Sequence, residues 1–259
     1  MIGCMLSRKE YADYCGRFHK AWAYMKKNSV STNQTISEIC EIRGYEYERM
    51  SGTLEKAEFI RLNDDFQAEK LKRLGDDLAL FNSKGEFRLS GRYIFPVKDM
   101  LGNVLALIGW YPDEKKYVTT PSKLFSKSCL FYGMEQMHRL GLGGEVFLVE
   151  GIFDSLSIRS LGYPALAMMG ISASRYKIAL YSLFKNIVAI PDIDEQGSKV
   201  IKFDKWSIPR NSKYFRWTGI SPEIVKDIDT FIHSFEEDDV RELLSEIRLE
   251  KKHIVTYEF

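Results

Sequence analysis

Three short apolar runs, V-F-L-V at 146–149, A-L-A-M-M at 165–169 and I-V-A-I at 187–190, alternate with stretches of helical character over 153–162, 172–184 and 195–206. A strand that is apolar at every position must be covered on both faces. A parallel sheet flanked by helices provides that cover, and the strand–helix alternation points to the same α/β arrangement. In such a sheet ligands bind beyond the carboxyl ends of the strands. Three carboxylates fall at those ends. Glu150 closes V-F-L-V-E and is followed by Gly151, which lets the backbone turn closely into a helix. Asp192 and Asp194 close N-I-V-A-I-P-D-I-D, and Gly197 opens the helix that follows. Residues two apart on an extended segment point the same way, and neighbouring carboxylates raise each other's pKa. A cation is the usual reason such a pair is kept, and hard oxygen donors with open positions suit Mg²⁺. One aspartate could instead cap the helix starting near Glu195, but that leaves Glu150 on the same edge unexplained.

The rest of the chain reads differently. Arg8 to Asn28 has Tyr11, Tyr14, Cys15, Phe18, Trp22 and Met25 at helical spacing, with Lys9, Arg17, Lys20 and Lys27 on a face read as solvated rather than DNA-facing. A second helix is predicted from Thr35, where T-I-S-E offers a capping box, to Gly44. Arg92 to Thr120 holds short β-rich runs around an Asp-Met-Leu-Gly-Asn turn and reads as a meander; a last helix is expected over Glu236–Lys251. The change of pattern places a boundary near Leu142–Gly144. It gives an α+β region over 1–143, a parallel-sheet domain over 144–235 and a short helical tail over 236–259.

Net charge is +1, which excludes a general basic coat for nucleic acid and requires local basic clusters for any such role. No apolar run approaches the roughly 20 residues of a membrane helix. The N-terminus becomes charged too early for a signal peptide. A cytoplasmic protein without membrane contact is expected. Cys4, Cys15, Cys40 and Cys129 form no C-x-x-C pair, and Cys15 with His19 matches no common zinc spacing, so no zinc is expected.

E-G-I-F-D (150–154), Gly170 and D-I-D-E-Q-G (192–197), in that order, resemble the TOPRIM fold shared by DnaG-type primases, topoisomerases and several nucleases. V-K-D-I-D-T-F-I (225–232) resembles the G-K-D-P-D-E-F-L stretch that follows the TOPRIM core in bacterial primases. Upstream, G-R-Y-I-F-P-V-K-D-M-L-G-N-V-L-A-L-I-G-W resembles the primase run around F-P-I-R-D. K-K-Y-V-T-T-P-S-K-L-F-S-K-S-C-L-F-Y-G resembles K-Y-L-N-S-P-E-T followed by L-F-x-K and L-Y-G. The likeness covers roughly 90–232, and more faintly the Arg43–Gly44 pair.

The resemblance implies a TOPRIM (Rossmann-like parallel sheet) domain preceded by an α+β primase N-terminal subdomain. Glu150, Asp192 and Asp194 would be catalytic metal ligands, with Asp227 and Asp229 as a second acidic cluster. Arg92, Lys116 and Lys127 would face nucleotide or template. Asp154, with Gly151 and Gly197, would support the ligands from behind. The implied activity is that of a nucleotidyltransferase in DNA replication, a DNA-dependent primase making short RNA primers from NTPs on single-stranded DNA. It would use two or more Mg²⁺ or Mn²⁺ ions. Trp110, Tyr117 and Phe131 could stack bases, but packing under the strands is the preferred reading.

The sequence departs from the family in three places. It has no Cys/His array for a zinc module, it has Trp110 where the family usually has Arg, and it has one clear C-terminal helix where bacterial primases have a bundle. A bare core of the kind a phage or mobile element encodes is therefore expected. Template selection would then come from a replicative helicase or a separate zinc-bearing protein. The alternatives are a metal-dependent TOPRIM nuclease and a catalytically weak replisome-assembly or DNA-binding module. Too little chain remains for a topoisomerase gate.

Overall fold

The computed structural model describes residues 7–113, 116–121, 125–137, 144–170, 173–192, 207–209, 212–218, 225–249 and 254–258. Its first helix, α1 (Arg8–Lys27), begins with a capping box. The Ser7 hydroxyl accepts from the Glu10 N–H, and the Glu10 carboxylate accepts from the Ser7 N–H at 2.8 Å. The expected apolar face is buried, including Phe18 and Met25, each fully enclosed and stabilising the fold by about 1.5–3 kcal/mol. Two more helices follow, α2 (Thr32–Arg43) and α3 (Tyr47–Lys56).

The start of α2 corrects the sequence expectation. Ser31, not Thr35, is the cap, its hydroxyl accepting from the Gln34 N–H at 3.3 Å. Thr35 lies buried one turn inside and donates to the Ser31 carbonyl at 3.2 Å. Glu38, the acid of the supposed capping box, is drawn away by Arg61, which meets it with two donors at 2.7 and 3.0 Å. A bidentate charged pair outweighs one bond to a backbone N–H.

The four strands of this region form one antiparallel sheet in the order β1 (Ile60–Arg61), β2 (Tyr93–Lys98), β3 (Val104–Tyr111), β4 (Lys116–Thr119). Asp99 makes the β2–β3 turn by accepting from the Leu101 and Asn103 N–H groups at 2.8 Å each, with Gly102 at φ 83°. Trp110 is 3% exposed, its ring 5.6 Å from that of Tyr93. It packs in the sheet rather than presenting a face for a base.

Met1–Ser126 and Lys127–Phe259 are separate units. The second is built on five parallel strands in the order β6-β5-β7-β8-β9: β5 (Glu145–Val149), β6 (Ala165–Ala167), β7 (Asn186–Ile190), β8 (Lys213–Thr218) and β9 (Ile254–Glu258). Helices α4 (Ile152–Ser160) and α5 (Arg175–Leu180) connect the first three strands in part, and α6 (Ile228–Ser234) and α7 (Glu237–Leu249) follow β8. The chain leaves β5 to one side for β6 and returns to its other side for β7. The switch point of the sheet therefore lies between β5 and β7. Val149 pairs with both Ala167 and Ile190, so the three strands end level.

Two boundaries differ from those suggested by the change of pattern. The division falls before Lys127 rather than near 143, because residues 127–137 lie along the free edge of β6. Tyr132 exchanges backbone hydrogen bonds with Ala167 at 3.0 and 3.1 Å, and Gln136 Nε2 donates to the Ala165 carbonyl at 3.1 Å. That contact also covers a short edge strand. The segment from 236 is more than a helical tail, since β9 joins the parallel sheet beside β8. The helix expected over 195–206 lies outside the described residues. Among the described residues no helix is long and apolar enough to cross a membrane.

Replacing Ser31 by alanine should lower the unfolding free energy by about 1 kcal/mol, read as a lower urea midpoint at unchanged slope. A change confined to a few tenths would return the cap to Thr35.

Candidate active site

Because β5 and β7 end level, the residues after them meet. Glu150 leaves β5 half-buried and its Oε1 accepts from the Asp192 N–H at 3.0 Å. Gly151 starts α4, and its N–H donates to Asp154 Oδ2 at 2.9 Å. A side chain there would push Asp154 out of place, since a Cβ on Gly151 would lie 2.5 Å from that same oxygen. Asp154 is 6% exposed, and its other oxygen accepts from the Asp229 N–H at 3.3 Å. One carboxylate thus ties the end of β5 to the start of α6.

The other two aspartates are held by their own helix. Asp227 caps α6, Oδ1 accepting from the Thr230 N–H and hydroxyl at 2.7 Å each. Asp229 is 3% exposed and accepts from the Ser157 hydroxyl, with His233 Nε2 3.7 Å from Oδ1 and 3.0 Å from Ser157 Oγ. The Asp229–Ser157–His233 group therefore joins α6 to α4. Asp229 stands in a helix-to-helix contact, behind the strand ends rather than on them. Sequence reading missed Ser157 and His233. The signal was their spacing: Ser157 follows Asp154 by one helical turn, and His233 follows Asp229 by four residues.

Burial holds the Asp154 carboxyl well above the usual range, and the carboxylates of Asp192, Asp227 and Asp229 push it further, against the Gly151 N–H. Asp192, Asp227 and Asp229 thus lie close enough to Asp154 to disfavour its ionised form. Asp194 and Gly197 lie outside the described residues.

Among the described residues no three His, Cys, Asp or Glu side chains form a ready metal cage. The donor set nevertheless fits a hard divalent cation. Every donor on the edge is a carboxylate oxygen, and the mutual repulsion that raises Asp154 is what a bound cation would relieve.

The basic candidates are placed as follows. Lys127 is exposed in the turn that opens the second unit. Lys116 is exposed at the start of β4, and Arg92 immediately precedes β2, both in the first unit. Arg92 lies across Gly109 of β3, where a Cβ would come within 2.6 Å of its Cδ, and 5.5 Å from the Tyr111 ring centroid. Its Nε and Nη1 are buried without a hydrogen-bond partner among the described residues. It lines a cavity of about 600 Å³ with Arg61, Phe66, Phe87 and Tyr111. Tyr117 is half-buried, and Phe131 is fully buried against Tyr181.

Known proteins resemble this chain in sequence and fold. Residues 147–232 match the Toprim-like family model. A DNA primase of Deinococcus radiodurans is 34% identical over 120 residues, 43% of this chain and 21% of that protein. A DNA primase of Borreliella burgdorferi is 30% identical over 202 residues, 74% of this chain and 37% of that protein. The chain thus spans between about a fifth and a little over a third of the curated relatives it matches.

Among solved structures, a DnaG primase catalytic domain bound to single-stranded DNA superposes with a TM-score of 0.69 at 17% identity, over 93% of this chain and 83% of that one. The RNA polymerase domain of Mycobacterium tuberculosis DnaG gives 0.67 at 18% identity, over 92% and 84%. The second unit therefore carries a Toprim-like domain. The chain as a whole has the fold of the DnaG primase catalytic core, and its sequence is related to the bacterial DNA primases.

Saturating Mg²⁺ should raise the melting temperature by about 5–10 °C, the shift expected for a ligand at a hundred times its dissociation constant on a chain of this size. EDTA should reverse it. The shift should shrink from pH 8 towards pH 5, because protons compete with a cation for carboxylate oxygens. An equal shift in the Glu150→Gln/Asp192→Asn variant would remove the cation from this edge.

Proposed function

We propose that this chain is the catalytic core of a DNA primase. It joins nucleoside triphosphates into short RNA primers on a single-stranded DNA template by metal-dependent phosphoryl transfer. The observation that carries the reading is the meeting of Glu150 with the Asp192 backbone at the level ends of β5 and β7, on a fold shared with DnaG catalytic domains.

Glu150, Asp192 and Asp194 would hold the cations, either Mg²⁺ or Mn²⁺, with Asp227 at the margin of the same edge. Two bound cations would neutralise charge on the attacking 3′-oxygen and on the departing pyrophosphate. The protein's own share is positioning, which dominates in phosphoryl transfer. Asp154 fixes the Gly151 turn, so that Glu150 keeps its place at the strand end. Asp229, through Ser157 and His233, holds α6 against α4 and so holds Asp227. Neither needs to touch the reacting phosphate. Lys127 and Lys116 would neutralise phosphates of nucleotide or template. Arg92, with two buried donors turned to no protein acceptor among the described residues, would take an anionic or base-edge group in the aromatic cavity beside it.

The relatives are longer proteins, so start-site selection and loading would rest on parts beyond these residues or on a replicative helicase or zinc-bearing partner. The reaction would take place in the cytoplasm, beside replicating DNA.

The test is a template-dependent synthesis assay with labelled NTPs, single-stranded DNA and Mg²⁺ or Mn²⁺. The parent should make short RNA, and Glu150→Ala and Asp192→Ala should each lose at least about 10²–10³-fold while melting as the parent does. Full synthesis in either variant would overturn the metal site. Template shortening without synthesis would show a nuclease instead.

A further inference from the structure

Lys177 is fully buried in the first turn of α5. Removing an ammonium group from water is costly unless its donors are met. Here Nζ donates to the Met168 carbonyl at 2.5 Å and the Lys127 carbonyl at 2.8 Å, and lies 4.9 Å from the Phe131 ring centroid. The two carbonyls belong to different parts of the unit. Met168 follows β6, and the Met168 and Met169 N–H groups donate to the Val149 and Glu150 carbonyls at 2.8 and 3.1 Å. Lys127 opens the turn at 127–129, which α5 grips a second time. The Ser174 N–H donates to the Ser128 carbonyl at 2.9 Å, and the Ser174 hydroxyl to Cys129 Sγ at 3.4 Å. An unbroken chain of bonds therefore runs from the Glu150 backbone through Met169 and Met168 to Lys177 and on to Lys127.

We propose that Lys177 is a positioning residue for the reaction, clamping the Lys127 turn to the strand end that carries Glu150. The proposal rests on reading Lys127 as a contact to nucleotide phosphate. A long stem with several donors suits the place, since both partners are acceptors and they lie on either side of one side chain. Burial brings the Lys177 pKa down to about 7. The neutral amine still has two N–H groups for two carbonyls, so the clamp holds in either protonation state.

The experiment compares Lys177→Met, Lys127→Ala and the double variant in primer synthesis. It also follows alkylation of Cys129 by peptide mass mapping, which needs no catalysis. Lys177→Met should raise the KM for NTP about tenfold, the loss expected for one charge-assisted hydrogen bond, with kcat within about twofold and the fold retained. The double variant should be no worse than Lys127→Ala, because Lys177 acts through Lys127. Cys129 should react faster in Lys177→Met, its turn having been released. Multiplying defects in the double variant would overturn the proposal, as would unchanged Cys129 reactivity in Lys177→Met. Unchanged kinetics in Lys127→Ala would overturn the reading of Lys127 itself and leave only a structural clamp. If the methionine variant melts below assay temperature, Lys177→Arg keeps donors on a long stem and should preserve both KM and Cys129 protection. Loss of both in a folded Lys177→Arg protein would overturn the clamp.

Discussion

The carboxylate of Asp154 is the point on which the second unit turns. It is buried, it is crowded by Asp192, Asp227 and Asp229, and it is kept there by two backbone N–H groups, from Gly151 and Asp229. Each bond comes from a different element, the first from the β5–α4 turn and the second from the start of α6. An arrangement that concentrates negative charge works against folding, because burial and like-charge repulsion both disfavour the ionised form. What it gains is a fixed edge of hard oxygen donors whose repulsion a divalent cation would relieve. The absence of a side chain at Gly151 follows from the same constraint, since the space is taken by the Asp154 oxygen.

Much of this edge was legible in the sequence. Continuous apolar runs give buried parallel strands, and the acids that close them fall where such a sheet binds ligands, so Glu150 and Asp192 could be placed before any coordinates. The roles of Asp227 and Asp229 were not legible in the same way. Both are acids on a short helix, and only the packing of α6 against α4 separates a helix cap (Asp227) from a residue turned to Ser157 and His233 (Asp229). The start of α2 was misplaced for a related reason. T-I-S-E satisfies the local rule for a capping box, but Glu38 is claimed by Arg61 on β1, a partner 23 residues away. Local patterns identify elements. Long-range partners decide which side chains remain available to local ones.

The domain boundary shows the same limit. Residues 127–137 carry no strand or long helix, and nothing in their composition ties them to β6. The bridge between Tyr132 and Ala167 and the bond from Gln136 to Ala165 attach them to the parallel sheet. A three-residue edge strand exposes unpaired backbone, and the segment that answers this need also carries Lys127.

Charge at the carboxyl edge is handled by the main chain on both sides. Asp154 is held by N–H groups, and Lys177, fully buried in the same unit, is held by carbonyls. A direct ion pair between a buried lysine and the acid cluster would instead have cancelled the field that a divalent cation would meet. Spending backbone donors on the acid and backbone acceptors on the lysine satisfies each without neutralising the other. On the proposed reading the edge would keep its negative charge for a metal, while buried Lys177 ties down the turn that carries Lys127. Under the proposed phosphoryl-transfer reading, this separation would let substrate phosphates meet metal on one side and a protein cation on the other.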